Sequence, residues 1–423
     1  MSVAHASSDG SHCPSARSGG REMPGDAAIA VGRRTAQRAA AANYEITVAG
    51  SEGELQQHLD AWDDLAANAA EPNAYYERWA LLPALRHLGG HDVRVLVVYL
   101  TGDPRHGAPL LCGLMPLRRH RPAPRVPFEV LEPWVHPYCF FGIPLIRSGH
   151  EVETLEAIFS WARRDPFGAT TIRFTQVSGD GPFARALAEV CRRGDRVTHL
   201  LEEYSRAVIA PAGDAEAYLR GSLGGRQAKG YRRRKRRLAE LGEVEHRMLT
   251  GDGDVGPWAE MFLALERKGW KGRLGTAMDC AQPDAAFFRD LCHGAYAAGS
   301  LMMLGIFLDG EPLAMQCNLR SGSGSFAFKV AYDEDYASHS PGWLLELYNI
   351  ELLHSDPGIE WMDSCASHDN PINRIWKERR LITNRWISTG RAPGDLLVAL
   401  MPLVSWLRRT TRRHASAGGA DDR

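Results

Sequence analysis

Hydrophobic positions change their period several times along the chain, and the changes divide it into elements. Tyr44, Ile46 and Val48 alternate with polar residues, which predicts a half-buried strand. Leu55, Leu59, Trp62 and Leu65 then recur at helical spacing, and a second helical stretch covers 73–88. Val93–Tyr99 and Leu110–Leu117 read as strands joined by the turn-rich TGDPRHGA, with another strand at Phe128–Leu131. After the loop PWVHPYCFFGIPLI, the pattern predicts a helix near 151–164, a strand in TTIRFTQV and a helix near 182–193. From Val244, His246 and Met248 onward the order recurs. Helices are predicted near 257–269 and 284–298, then strands near 301–308, 311–320 and 324–331. A helix at 342–354, a strand at 359–363, a helix at 371–380 and a strand at 382–388 complete the second round. The order predicts a duplicated α/β architecture.

Composition leaves room for this. The 423 residues are 44% hydrophobic and 24% charged, enough for two or three packed domains. Residues 1–42 are rich in Ala, Ser, Gly and Arg and read as a disordered tail, with Ala27–Val31 too short for a signal sequence. The expected division is 43–205 and 243–390 for the two units, 206–242 for linking helices, and 391–423 for a terminal helix and tail. No apolar run reaches the ~18 residues of a membrane span. The eight cysteines form no CxxC pair, which argues against disulfide frameworks and metal sites and for a soluble, cytoplasmic protein.

Fifty basic residues against fifty-one acidic ones leave a net charge of −1, which excludes nucleic-acid binding by bulk charge. The charge is nevertheless uneven. Residues 226–237, RQAKGYRRRKRR, hold eight basic side chains and no acidic one. They read as a solvated helix face or as guanidinium groups, Arg233 and Arg234 among them, that hold phosphates of a nucleotide cofactor or of tRNA. Residues 392–413 combine an apolar stretch with a basic end, a packed helix or one that contacts a membrane surface.

Four local patterns carry candidate chemistry. In SHSPGW, Ser340 suits an N-cap, Pro341 the first helical turn, and Gly342 close approach of a ligand to a phosphate-binding helix start. GDGDVG at 251–256 matches a dinucleotide fingerprint, but Asp252 and Asp254 would repel phosphate, and it reads as a turn. In ERKGWKGRLG, Glu266, Trp270, Lys271 and Arg273 lie among helix-breaking glycines, as in a polar loop or one that closes over substrate. Asp363, Cys365, His368 and Asp369 follow a predicted strand; Asp363 or His368 is a candidate base, and a Cys365–His368 nucleophile pair is the alternative. His136, Tyr138 and Cys139 belong to an aromatic loop that either packs or meets an acceptor.

ERKGWKGRLGTA (266–277), VAYDEDYASHSPGWLLEL (330–347), MDSCASHDNPINRIWKERR (362–380) and WVHPYCFFGIPLI (134–146) resemble the CelD-type acetyltransferases of cellulose biosynthesis, across roughly 44–390. That family is similar to the tandem Fem transferases, which use aminoacyl-tRNA. The resemblance implies two tandem GNAT-like units with mixed, mostly antiparallel sheets, and acyl transfer from acyl-CoA, with no metal. The thioester would lie near Ala331 and Tyr332, and the acceptor would be an amine or hydroxyl of an envelope polysaccharide precursor or similar small molecule. An aminoacyl-tRNA donor and a non-catalytic scaffold subunit are the alternatives. One departure is visible: Tyr336-Ala-Ser-His-Ser-Pro-Gly342 carries a single Gly where the usual phosphate loop has more.

Overall fold

Alternating strands zip into two four-stranded meanders. In the first half these are β1 (Asn43–Ala49), β2 (Val93–Thr101), β3 (Leu110–His120) and β4 (Val130–Pro133), all antiparallel. Between β1 and β2 run α1 (Glu52–Leu55), α2 (Leu59–Ala67) and α3 (Arg78–His87). They bury Leu55, Trp62 and Leu65, the face that the spacing predicts. A short strand, β5 (Leu145–Ile146), pairs with β3. Then α4 (Glu151–Arg163) crosses to β6 (Thr171–Ser178), which runs parallel to β4, and α5 (Gly181–Arg193) follows.

β7 (Thr198–Ile209), α6 (Ala215–Ser222) and α7 (Gly225–Ala239) lead into the second half. Its meander is β8 (Val244–Met248), β9 (Leu301–Leu308), β10 (Glu311–Ser321) and β11 (Gly324–Tyr332). The helices α8 (Val255–Lys268), α9 (Trp270–Arg273) and α10 (Gln282–Ala297) fill the excursion after β8. The helix α11 (Pro341–Ser355) crosses to β12 (Trp361–Asp363), parallel to β11, and β13 (Glu378–Ser388) ends the sheet. This computed structural model describes residues 43–103, 105–121, 129–164, 168–367 and 369–403; the expected tail 1–42, His368 and residues 404–423 lie outside it.

The sheet is continuous and mixed, in the order β1-β2-β3-β4-β6-β13-β7-β12-β11-β10-β9-β8. Read from either edge, it is a meander followed by one parallel strand, with the final strand of each half exchanged. β13 pairs with β6 and β7, while β7 pairs with β12 and β13. The main core spans both halves, joining Trp62, Phe159 and Phe174 to Phe262, Phe288 and Phe326.

Three elements differ from expectation. The segment 266–273, expected as a loop among glycines, is helical on both sides of Gly269, with α8 running to Lys268 and α9 over Trp270–Arg273. The helix predicted at 371–380 is a 3-10 turn, Pro371–Arg374, and Glu378 already belongs to β13. Pairing on both sides of β13 satisfies its backbone and overrides local helical propensity. β7 was absent from the predicted order because THLLEEYSRAVI does not alternate. The GDGDVG segment is a turn leading into α8, and Asp254 caps that helix by accepting from the Gly256 N–H.

Candidate active site

The site follows from a mismatch in strand length. β12 pairs with β11 at only three positions, Trp361–Asp363 against Gly324–Phe326. Gly324 is needed at the base of this contact, since a Cβ there would come within 2.1 Å of the Trp361 ring. Beyond Phe326, β11 continues to Tyr332 on β10 alone, while the other chain turns away at Cys365 with a left-handed φ of 52°. The β10–β11 register also slips between Cys317 and Asn318, leaving Phe328 as the extra residue of a bulge. The gap becomes a cleft of about 670 Å³ that opens at the start of α11.

The two halves differ at this point. The long segment 134–150 follows β4, and its Phe140 lines the second half's cleft; a short 3-10 turn, Glu334–His339, follows β11. His136 and Cys139 of that long segment are buried, and burial pushes the His136 imidazole down to about 3 and the Cys139 thiol up to about 12. Tyr138 stacks on Phe287, and its hydroxyl donates to Asp284 at 2.5 Å.

Of the residues singled out in the sequence, Lys271, Tyr332, Ser340 and Gly342 line the cleft. Ser340 has a left-handed φ of 54°, and its carbonyl accepts from the Trp343 and Leu344 N–H groups while its hydroxyl makes no capping bond. Ala331 is buried beside the cleft and paired with Met315. Glu266 lies beneath the cleft wall, almost fully buried, with Lys271 Nζ at 2.7 Å, Lys329 Nζ at 3.7 Å and the Met278 N–H at 2.9 Å. Burial opposes its charge, but the two ammonium groups and the hydrogen bonds outweigh it, and the carboxyl sits below its usual range.

Trp270 and Arg273 stand at the lip. Both tie to Glu334, through the Trp270 N–H at 2.8 Å and through the Arg273 guanidinium. Arg233 is exposed on α7, whereas Arg234 lies over the Tyr231 ring, which approaches Trp343 in the first turn of α11. The basic helix therefore borders the cleft without lining it.

Asp363 is fully buried and lies outside the cleft lining. One carboxylate oxygen accepts from Arg380 at 2.8 Å, the other from the Cys365 N–H at 2.8 Å, with Arg206 Nη1 at 3.6 Å. Cys365 lines the cleft, but burial raises its thiol strongly, and its Sγ lies 3.2 Å from the Tyr75 hydroxyl. Among the described residues, no group of three or more His, Cys, Asp or Glu is arranged to hold a metal, and no helix is long and apolar enough to cross a membrane. In the described part of 392–413, Val398 is buried near Trp386, while Leu396, Leu400 and Leu403 are exposed.

The structure also brings in cleft residues that the sequence reading missed. Lys329 lies under the Tyr138 ring at 4.6 Å, and burial pushes its ammonium down against the pull of Glu266. Gln316, Glu346 and Trp376 line the cleft as well. Glu346 and Asn349 sit one turn apart on the buried face of the apolar helix PGWLLELYNIELL, and that misplaced polarity was the signal available.

Residues 225–378 match the family model described as acetyltransferase (GNAT) domain. No curated protein matches the chain in sequence. Among solved structures, FemX aligns with a TM-score of 0.52 at 11% identity, over 78% of this chain and 95% of its own. A conserved protein of unknown function from Bacteroides thetaiotaomicron aligns with a TM-score of 0.50 at 10% identity, over 78% of this chain and 97% of its own. A weaker likeness, with a TM-score of 0.41 at 15% identity, is to a tandem GNAT protein from the clavulanic acid biosynthesis pathway, over 83% of this chain and 100% of its own. With the doubled meander, the parallel crossover and the open cleft, the match identifies a GNAT-type acetyltransferase domain in this chain.

Proposed function

We propose that the chain is an acyl-CoA-dependent N- or O-acyltransferase, with the thioester lying in the cleft beside Ala331 and Tyr332. The observation that carries this reading is the side of β11 beyond Phe326 that no strand covers, where Lys271 Nζ donates to the Val330 carbonyl at 3.3 Å and from which residues 333–340 lead to the start of α11. An extended thioester arm with amide groups fits such an edge, because the strand offers N–H and C=O groups that the sheet leaves unpaired. At its far end, Ser340 and Gly342 present a helix start, where N–H groups and the helix dipole favour phosphate. A β11 N–H directed at the thioester carbonyl would stabilise the oxyanion as the acceptor adds. Lys271, with Trp270 and Arg273 at the lip, would hold the acceptor or a phosphate. The acceptor we favour is an amine or hydroxyl of an envelope polysaccharide precursor or a similar small molecule.

Calorimetric titration with acetyl-CoA and longer acyl-CoAs tests this. Binding in the micromolar range is expected, and no heat from any of them would overturn the reading. An aminoacyl-tRNA donor is a second reading, favoured by the eight basic residues within 226–237 beside the cleft. RNA affinity that falls steeply between low and moderate salt would support it over acyl-CoA.

A further inference from the structure

We propose that Glu346 takes the proton from the acyl acceptor as it attacks the thioester. This rests on the acyltransferase reading above and adds a residue to it. Glu346 lies on the buried face of α11, one turn beyond Gly342, and lines the same cleft. Its Oε1 accepts from the Trp376 indole N–H at 2.8 Å and from Asn349 Nδ2 at 3.4 Å. Behind it runs a chain of buried amides, with Gln316 donating to Asn318 at 3.0 Å and Asn318 to Asn349 at 3.1 Å. These partners fix the carboxyl in place without neutralising it by an opposite charge.

The groups bonded to it are Gln316 of β10, Asn349 of its own helix, and Trp376, with Asn318 of β10 and Met362 of β12 bonded in turn to Asn349. Tyr218 of α6 is the titratable neighbour that feels its charge, and Lys271 and Lys329 line the same cleft. Burial pushes the carboxyl up to about 7, against the hydrogen bonds from Trp376, Asn349 and Gln316. A base poised there is half ionised at neutral pH, which suits proton transfer. Asp363, by contrast, has its oxygens engaged by Arg380, Arg206 and the Cys365 N–H.

In the step, a lone pair of the acceptor's N or O forms a bond to the thioester carbonyl carbon. The C–S bond breaks, and its electron pair leaves on the CoA sulfur. The acceptor's proton passes to the Glu346 carboxylate and from there to the thiolate, so that CoA leaves as the thiol.

The test uses the full chain, acetyl-CoA as donor and water as the probe acceptor, following release of CoA thiol from the bound thioester between pH 5.5 and 9. For the wild type, hydrolysis faster than that of free acetyl-CoA is expected, rising with pH through about 7. Glu346→Gln should bind acetyl-CoA with unchanged affinity yet lose roughly 10²–10⁴-fold in rate and the dependence near pH 7. Glu346→Asp should recover part of the rate. Trp376→Phe removes a donor that favours the ionised form, so it should move the rise to higher pH; a purely structural role would not shift it. A Gln variant with the wild-type rate and pH profile would overturn the proposal. So would bound acetyl-CoA hydrolysed no faster than free, or an unmoved profile in Trp376→Phe. Failure of the wild type to bind acetyl-CoA would instead overturn the acyltransferase reading itself.

Discussion

Two buried carboxylates of the second half, Asp363 on β12 and Glu346 on α11, behave in opposite ways. Asp363 is balanced by Arg380 and Arg206, both largely buried, so it is an anchor between β7, β12 and β13. Replacing it with Ala would leave two guanidinium groups facing each other without a counter-charge. We expect Asp363→Ala to cost about 3–5 kcal/mol of stability in urea unfolding. A loss of under about 1 kcal/mol would show that the pair contributes little beyond an ordinary substitution. Glu346 has no such partner, and its stability effect depends on pH. Its carboxyl is raised from 4.5 to about 7, so between those values the folded chain holds more protons than the unfolded one. Stability therefore falls as pH rises across that window, and the full penalty is present above about 7. Glu346→Gln escapes it. Relative to the wild type, the variant should gain up to about 3 kcal/mol between pH 4.5 and 8.5, read from urea midpoints. A difference that stays constant with pH would refute this. Glu77, raised to about 7 by burial beside Trp79, is present in both proteins and cancels in the comparison.

At the scale of the element, α7 separates the phosphate readings from solvation. Arg232, Arg233, Lys235, Arg236 and Arg237 are exposed, and Leu238 is the residue that buries the helix. Consecutive residues on a helix point all around it, so no single ligand can meet them all. Arg234 reaches toward the α11 start through Tyr231 and Trp343. Replacing Arg233, Arg234 and Arg237 together with Gln should change stability by under about 2 kcal/mol, since Arg233 and Arg237 are exposed sites worth at most about 0.5 each and the Arg234 contact with the Tyr231 ring about 0.5–1. If α7 steers the donor phosphates, the triple variant should weaken CoA more than pantetheine in titrations. Loss of RNA binding with CoA affinity intact would favour tRNA instead. The 3-10 turn after β11 makes the same point about length: eight residues, 333–340, leave the cleft open, where the long 134–150 segment of the first half supplies packing.

For the whole molecule, the exchanged strands bind the halves into one folding unit. β13 lies between β6 and β7 from Ile382 onward, and the principal core draws on both halves. We propose that 43–205 and 243–390 are the duplicated units, joined by 206–242. A chain ending at Lys377 would leave β6 and β7 with unsatisfied edges, and residues 43–209 alone would lack β13. Both should fail to show a cooperative urea transition, whereas the full chain should melt in a single calorimetric step. Independent folding of either piece would refute the exchange as an energetic necessity.

The sequence by itself determined the duplicated order of elements, because period-2 and period-3.6 patterns are local and each half bears its own. It also marked the α11 start through Pro-Gly and the break at Gly269, since turn chemistry is local too, although Trp270–Arg273 beyond that break form a helical turn and not the expected loop. Only tertiary structure decided that β7 and β13 change places, as strand neighbours are chosen by non-local pairing. The roles of the carboxylates were equally invisible in one dimension. Asp363 and Glu346 each follow two apolar residues along the chain, yet one meets guanidinium groups from β7 and β13 and the other meets amides and an indole. A carboxyl's charge is set by what burial brings against it, and that partner lies at a distance no sequence spacing encodes.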